Sequence, residues 1–268
     1  MIRQFALIAA VLGALGLPAA ASSDRPNPLQ DGATWDHLRP SYFADRPIQD
    51  GVGRFSLDAP FRAQDAATVP VRFQQDDPDL RVVRLTLLVD ENPAPFAAEF
   101  EFGPDMGVID LETRLRVNAY SNVRAIAETA DGALYMVGRF VRASGGCSAP
   151  AARDMDAALA QLGRTHVRWI APEALPEGRR TAQVMVRHPS NSGLQRDQIT
   201  HHYIPAWYID RVEIHQGGAL LFAMTGGITL SEDPSFRFSY SDNGAGGLSI
   251  RAGDMRGGEY GGDFRAGI

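Results

Sequence analysis

One residue can do covalent chemistry that no other residue in the chain can: Cys147, the only cysteine among 268 residues. It follows Ser144-Gly145-Gly146 and precedes Ser148-Ala149-Pro150. Two successive glycines lack Cβ atoms, so they give the backbone wide freedom and offer little bulk to a narrow channel. Beyond them, residues 150–163 read as a helix, with Ser148 or Ala149 near its cap and proline in its first turn. A thiol just ahead of a helix N-terminus sits in partial positive potential, which favours the thiolate and lowers the pKa from its free value of about 8.5. The expectation is a solvent-accessible, acidic thiol on a flexible arm made by Gly145 and Gly146. The same residues also read as an ordinary Gly-Gly linker with a buried, inert cysteine.

Other chemistry-bearing residues point nowhere as sharply. His201 and His202 are adjacent, so in an extended chain they face opposite ways and cannot chelate together; with His188 and His215 they read as surface or loop histidines. No HExxH, CxxC or GxSxG pattern occurs, and the glycine-rich tail, residues 244–262, lacks the spacing of a dinucleotide or phosphate loop and reads as turns. Asp110 and Glu112 belong to a charge row on a strand's solvent face. The residues give no argument for catalysis, and no metal or cofactor is expected.

The compartment follows from the N-terminus. Arg3, the apolar run from Phe5 to Leu17, and Ala19-Ala20-Ala21 have the order of a cleavable secretory signal over residues 1–21. That run is too short to span a membrane, which needs roughly 20 apolar residues, and no later stretch is longer, so the expected mature protein is periplasmic with no membrane span. The whole chain carries 26 basic and 32 acidic residues. This acidic balance argues against nucleic acid as a partner. A lone cysteine in an exported protein stays free, carries an adduct or pairs with another molecule.

The elements that must position Cys147 are strands. Residues 22–66 are proline-rich with a short helical candidate at Thr34-Trp35-Asp36-His37-Leu38, and are expected to pack on the first domain through Trp35, Tyr42 and Phe43. From residue 67 to 141 the pattern has period two. Ile109, Leu111, Thr113, Leu115 and Val117 make one face, while Asp110, Glu112, Arg114 and Arg116 make a charged face expected to meet water. Val83, Leu85, Leu87 and Val89 repeat the alternation, as do Phe100 and Phe102 with Glu99 and Glu101, and Asp131-Gly132 marks a hairpin turn. After the helix, strands are expected at residues 167–170, 182–188, 204–215, 219–224, 236–240 and 248–251. Short punctuated strands of this kind suggest antiparallel sandwiches.

Specific motifs then resemble a family. Val89-Asp90-Glu91-Asn92-Pro93, Phe102-Gly103-Pro104, Ser121-Asn122-Val123-Arg124-Ala125-Ile126-Ala127-Glu128 and Gly145-Gly146-Cys147 resemble the SoxY half of the sulfur-oxidation carrier SoxYZ. His188-Pro189-Ser190-Asn191-Ser192-Gly193-Leu194, Ile204-Pro205-Ala206-Trp207-Tyr208-Ile209 and Asp233-Pro234-Ser235-Phe236-Arg237-Phe238 are similar to SoxZ. Their order is that of the fused SoxYZ-like carriers associated with quinoprotein dehydrogenases. The family's arm ends its chain as Gly-Gly-Cys-Gly-Gly, whereas here Ser148-Ala149 follow the cysteine and the polypeptide continues, tethering the arm at both ends.

The resemblance implies an all-β protein of two immunoglobulin-like antiparallel sandwiches joined by a short helical linker. The expected divisions are a signal at 1–21, an N-terminal extension at 22–66, a SoxY-like domain at 67–147, a linker at 148–165 and a SoxZ-like domain at 166–268. It also implies a carrier and not an enzyme, with cargo attached at Cys147. Expected partners are periplasmic sulfur-oxidising or quinoprotein dehydrogenase-system enzymes, and His188, Pro189 and Trp207 are candidate docking residues. Two alternatives stand beside it: a non-covalent adaptor for a quinoprotein dehydrogenase or its cytochrome, and a redox-responsive protein that dimerises through Cys147.

Overall fold

A computed structural model describes residues 27–150, 155–171, 176 and 178–266. The expected signal lies outside the described residues, as do residues 151–154 at the start of the expected helix. The first half holds α1 (Ala33–Phe43), β1 (Ile48–Asp50), β2 (Phe55–Asp58), β3 (Val69–Gln75), β4 (Val82–Val89), β5 (Phe96–Phe102), β6 (Asp110–Leu115), β7 (Ser121–Thr129) and β8 (Leu134–Val141). After α2 (Met155–Ala160) come β9 (Thr165–Ile170), β10 (Arg179–Val186), β11 (Ile209–Gln216) and β12 (Ala219–Gly226). The chain closes with β13 (Ser235–Ser241), β14 (Gly247–Asp254) and β15 (Glu259–Arg265).

The strands form two facing sheets, and both run through the two domains. One has the order β1-β8-β7-β4-β5-β12-β11-β14-β15, the other β2-β3-β6-β13-β10-β9. The domains therefore meet edge to edge as well as through side chains: β5 pairs with β12 from Phe102↔Phe222 to Ala98↔Gly226, and β6 pairs with β13 at Glu112↔Arg237 and Leu111↔Phe238. An exposed strand edge is a template for unwanted pairing, and each domain covers an edge of the other. Behind the seam one core is shared. Phe222 is buried, with ring centroids 5.7 Å from Phe100, 6.1 Å from Phe236 and 5.1 Å from Phe238.

The alternation in the first half has the expected consequence where one face is wet. Glu99 and Glu101 face outward on β5, where Arg84 links Glu99, Glu101 and Glu128. It fails where α1 lies on the outer face. There Phe43 packs with Leu88, Ile126 and Leu134, so β4 and β7 are covered on both sides. Trp35 stacks 4.3 Å from the Arg124 guanidinium, which makes a buried ion pair with Asp90 at 2.9 Å.

Three strand expectations need correction. β11 begins at Ile209, five residues later than read, because residues 204–208 follow a loop that pairs Trp207 with Asn191. β1 and β2 lie within the proline-rich segment, where no period is visible in so few residues. The glycine-rich tail is a hairpin of β14 and β15, not turns alone. Gly261 has φ 119° and a Cβ there would lie 2.1 Å from the Ile250 carbonyl oxygen, so glycine is what allows this edge strand to approach.

Because the core crosses the seam, the protein should unfold in one cooperative step. Phe222→Ala should lower stability by about 3–5 kcal/mol, the cost of emptying a packed aromatic site. Urea unfolding followed by both fluorescence and circular dichroism checks this; two separated transitions would contradict it.

Candidate functional site

The site is built where β6 ends. The strand's alternation stops at Leu115, after which Arg116 N–H donates to the Thr229 carbonyl at 2.8 Å and carries the chain across to the second half. This is why Arg116, expected on the wet face, is 1% exposed. Its Nη1 donates to the carbonyls of Ile228 (3.2 Å) and Leu230, while its buried Nε has no hydrogen-bond partner. Burial lowers its pKa from the ordinary arginine value.

Asn92 fixes this crossing. Its amide nitrogen donates to the Arg116 carbonyl at 2.8 Å and to Thr229 Oγ1 at 3.1 Å, and its Oδ1 accepts from Asn118 N–H at 2.8 Å. Thr229 Oγ1 in turn donates to the Ala94 carbonyl at 2.6 Å. Val117 N–H donates to the Ala66 carbonyl at 2.8 Å. The result is a rigid shelf of main-chain acceptors.

The segment carrying Cys147 lies on that shelf. Gly145 N–H donates to the Asn118 carbonyl (2.8 Å), Gly146 N–H to the Val117 carbonyl (3.1 Å) and Cys147 N–H to Asn118 Oδ1 (3.3 Å). From the other domain, Ser192 Oγ donates to the Cys147 carbonyl at 2.5 Å. Gly145 has φ 78°, and a Cβ on Gly146 would lie 2.1 Å from the Ala66 carbonyl oxygen. Here the two glycines serve close docking as well as freedom.

The expectation of an exposed, acidic thiol is therefore corrected. Cys147 is 0% exposed, and burial pushes its thiol up to about 11, with the Arg116 charge offsetting only part of that shift. At neutral pH the docked group is a thiol and not a thiolate. The expected helix start after Pro150 lies outside the described residues, and α2 is described from Met155 to Ala160.

The loop that supplies Ser192 contains the candidate docking residues. His188 and Pro189 are buried and Trp207 is half-buried, so His188 and Pro189 shape the loop from within and present no surface of their own. His188 Nδ1 accepts from Ser190 N–H at 2.9 Å, which places its proton on Nε2, 3.5 Å from Asp254 Oδ2. Burial pushes the imidazole down to about 4 against the opposing pull of Asp254. Burial would raise the Asp254 carboxyl, but donors from Tyr260 (2.6 Å), Gly258, Trp207 (2.8 Å) and Arg256 hold it well below the usual carboxylate range. This cluster braces the loop, and Trp207 N–H completes it by donating to the Asn191 carbonyl at 3.0 Å. His201, at φ 59°, and His202 sit in an exposed loop and not in a strand. Among the described residues no group of three or more His, Cys, Asp or Glu is placed to hold a metal ion, and no helix is long and apolar enough to cross a membrane.

Arg116, Asn118 and Ser192 were not singled out by sequence reasoning, although Asn92 and Ser192 lie inside the motifs that carried the resemblance. The comparisons with known proteins fall on the same two halves. Residues 39–147 match the family of the sulfur oxidation protein SoxY, so the matched segment ends on Cys147, and residues 167–264 match that of the sulphur oxidation protein SoxZ. The chain joins a SoxY domain to a SoxZ domain. SoxY belongs among carrier proteins and not enzymes. Among solved structures, the sulfur carrier protein SoxY from Chlorobium limicola f thiosulfatophilum is similar, at 24% identity over 41% of this chain and 92% of that one, with a TM-score of 0.36. No curated protein sequence matches the chain. In SoxYZ terms, the cysteine of the SoxY domain is held down by a serine of the SoxZ domain.

Two outcomes test this geometry. Gly146→Ala should lift the arm from the Ala66 carbonyl, so that alkylation of Cys147 by iodoacetamide at pH 8 becomes faster; Ser192→Ala should speed it about 2- to 12-fold, the equivalent of one net hydrogen bond. An unchanged rate in both variants would contradict a docked arm. Separately, His188 is neutral when folded and protonates from 6.5 when unfolded, so its contribution to stability is present above about pH 6.5 and lost as pH falls towards about 4. Urea unfolding across that range should show the loss, and His188→Gln should flatten it.

Proposed function

We propose that this chain is an exported covalent sulfur carrier that bears its cargo on Cys147. The observation that carries the reading is the coincidence of three facts at one residue. The SoxY match ends on it, it is the only cysteine, and it docks where the SoxY and SoxZ domains meet. Loading is a sulfur transfer: the Cys147 thiolate attacks the sulfur of a donor R–S–X, an S–S bond forms, the S–X bond breaks, and X leaves with the electron pair. The thiol proton passes to solvent.

The docked thiol is protonated and enclosed, so transfer requires the arm to leave the shelf. Docking then shelters the thiol or its cargo between encounters, and a partner gains access by competing for the hydrogen bonds of residues 145–147. Enzymes of sulfur oxidation or of a quinoprotein dehydrogenase system fit as partners, the first through the Sox domains and the second through the fused order of the motifs. The signal-like residues 1–21 and the Sox domains support a periplasmic setting. Of the three candidate docking residues, the half-buried Trp207, with Arg256 over its ring at 4.8 Å, is the accessible one.

A buried, protonated thiol also fits a non-covalent adaptor in which the cysteine is dispensable. The same burial weighs against a dimer linked through Cys147. Intact mass of the protein from its native host, together with a Cys147→Ala strain, separates the readings. A sulfur adduct on Cys147 and loss of the pathway in the variant are expected; a bare thiol with a pathway that survives Cys147→Ala would overturn the carrier and leave the adaptor.

A further inference from the structure

The nine-stranded sheet ends unequally. At one end lies β1, three residues long, and at the other β15, seven residues long; the six-stranded sheet ends in β2, of four residues, and β9, of six. Short edges pair poorly with another chain, whereas a long one presents a row of free main-chain donors and acceptors. β15 has none of the usual protections. It contains no lysine or proline, pairs with β14 from Gly247↔Arg265 to Gly253↔Glu259 without a bulge, and turns Tyr260 and Phe264, not charges, towards the core. Among the described residues no strand covers it.

Its outer face carries charges that the chain itself leaves unmatched. Glu259, Gly261, Asp263 and Arg265 are exposed there, beside the exposed Arg251 on β14. Arg251, Asp263 and Arg265 make no side-chain hydrogen bond or ion pair among the described residues, although Arg251 lies opposite Glu213 of β11. Glu259 holds Arg211, but its side chain is 70% exposed and open to a second cation.

We propose that β15 is an interface for a second copy of this chain, paired antiparallel about a two-fold axis through Gly262. An axis perpendicular to the sheet keeps the two outer faces together, so odd-numbered residues of β15 oppose odd-numbered ones. Centred on Gly262, the pairing engages the whole strand. Glu259 then meets the partner's Arg265, and Tyr260 meets the partner's Phe264 as an aromatic cross-strand pair. Asp263 falls opposite the partner's Gly261. Because that glycine carries no side chain, the partner's Arg251, two strand spacings or roughly 10 Å away by backbone, can reach the Asp263 carboxylate. Each unmatched group thus gains an opposite charge. The neighbouring registers fail: centring on Gly261 sets Glu259 against the partner's Asp263, and centring on Asp263 opposes the two Asp263 carboxylates, and like charges directly opposite are destabilising.

The interface borders the site without containing it. Tyr260 donates to Asp254 in the cluster that braces the Ser192 loop, so each copy's arm-holding loop lies next to the seam between copies. The pairing goes beyond the carrier reading and does not depend on it.

Sedimentation equilibrium of the full chain over a wide range of concentration, with tris(2-carboxyethyl)phosphine present, tests the interface. A concentration-dependent dimer is expected. Glu259→Arg alone, or Arg265→Glu alone, should weaken it about tenfold or more, since each sets two like-charge pairs across the axis. An equal mixture of those two variants should dimerise again, because every pair across the axis is then of opposite charge. Circular dichroism checks that each variant folds. Should one of them not fold, Asp263→Arg, which disturbs no contact within the chain, takes its place and should weaken the dimer by opposing the partner's Arg251. A monomer at every concentration would overturn the proposal, and so would a dimer that persists unchanged in the single variants or a mixture that fails to recover. A dimer seen only without the reductant would be a Cys147 disulfide and would overturn it equally.

Discussion

The amide of Asn92 is the constraint on which the site depends. It binds the Arg116 carbonyl, Thr229 Oγ1 and Asn118 N–H at once, and so joins the end of β6 to the second domain. With both amide functions satisfied, the segment 116–118 has one orientation, with its carbonyls turned to the arm. A polar network buried in low dielectric is strong when complete and costly when broken. The same buried crossing that aligns the shelf for residues 145–147 also encloses Arg116. Seam, shelf and buried cation are consequences of one local decision: the chain stops being a strand at Leu115.

How much of this was legible in the residues depends on how far apart the interacting groups lie. The period-two pattern of Ile109 to Leu115 and of Glu99 to Phe102 predicts half-buried strands because burial there is set by the strand's own pleat. Leu88 and Ile126 break the rule because a helix some 45 to 90 positions earlier covers them, and Arg116 breaks it because pairing ends one residue before. The environment of Cys147 is the extreme case. Ala66, Val117, Asn118 and Ser192 come from three distant places, and nothing in Ser144-Gly145-Gly146-Cys147 encodes whether they are near. Gly-Gly permits a mobile arm and a tightly docked one for the same reason, the missing Cβ. The motif Asn92-Pro93 was visible, but its role in joining the halves was not, since an asparagine in a turn reads equally well as turn chemistry.

The edge-to-edge seam also explains why fusing the two domains is tolerable. Continuous sheets fix the relative position of β6 and β13, and with it the distance from Asn118 to Ser192, which bond opposite ends of the same residue. A linker between α2 and β9 therefore need not set the geometry of the site. It only keeps the partner domain present at high effective concentration.

Docking is weak enough to be reversible. The bonds at Gly145 N, Gly146 N, Cys147 N and Cys147 O contribute about 2–6 kcal/mol net in total. Ordering the backbone of residues 145–148 costs about 4–8 kcal/mol, and burial of the thiol offsets part of the difference. The docked and released arms are thus close in free energy. In such a balance, one hydrogen bond gained or lost shifts which state is populated. The shelf holds residues 145–147 through main-chain hydrogen bonds, so whatever displaces the arm must offer its backbone groups other partners.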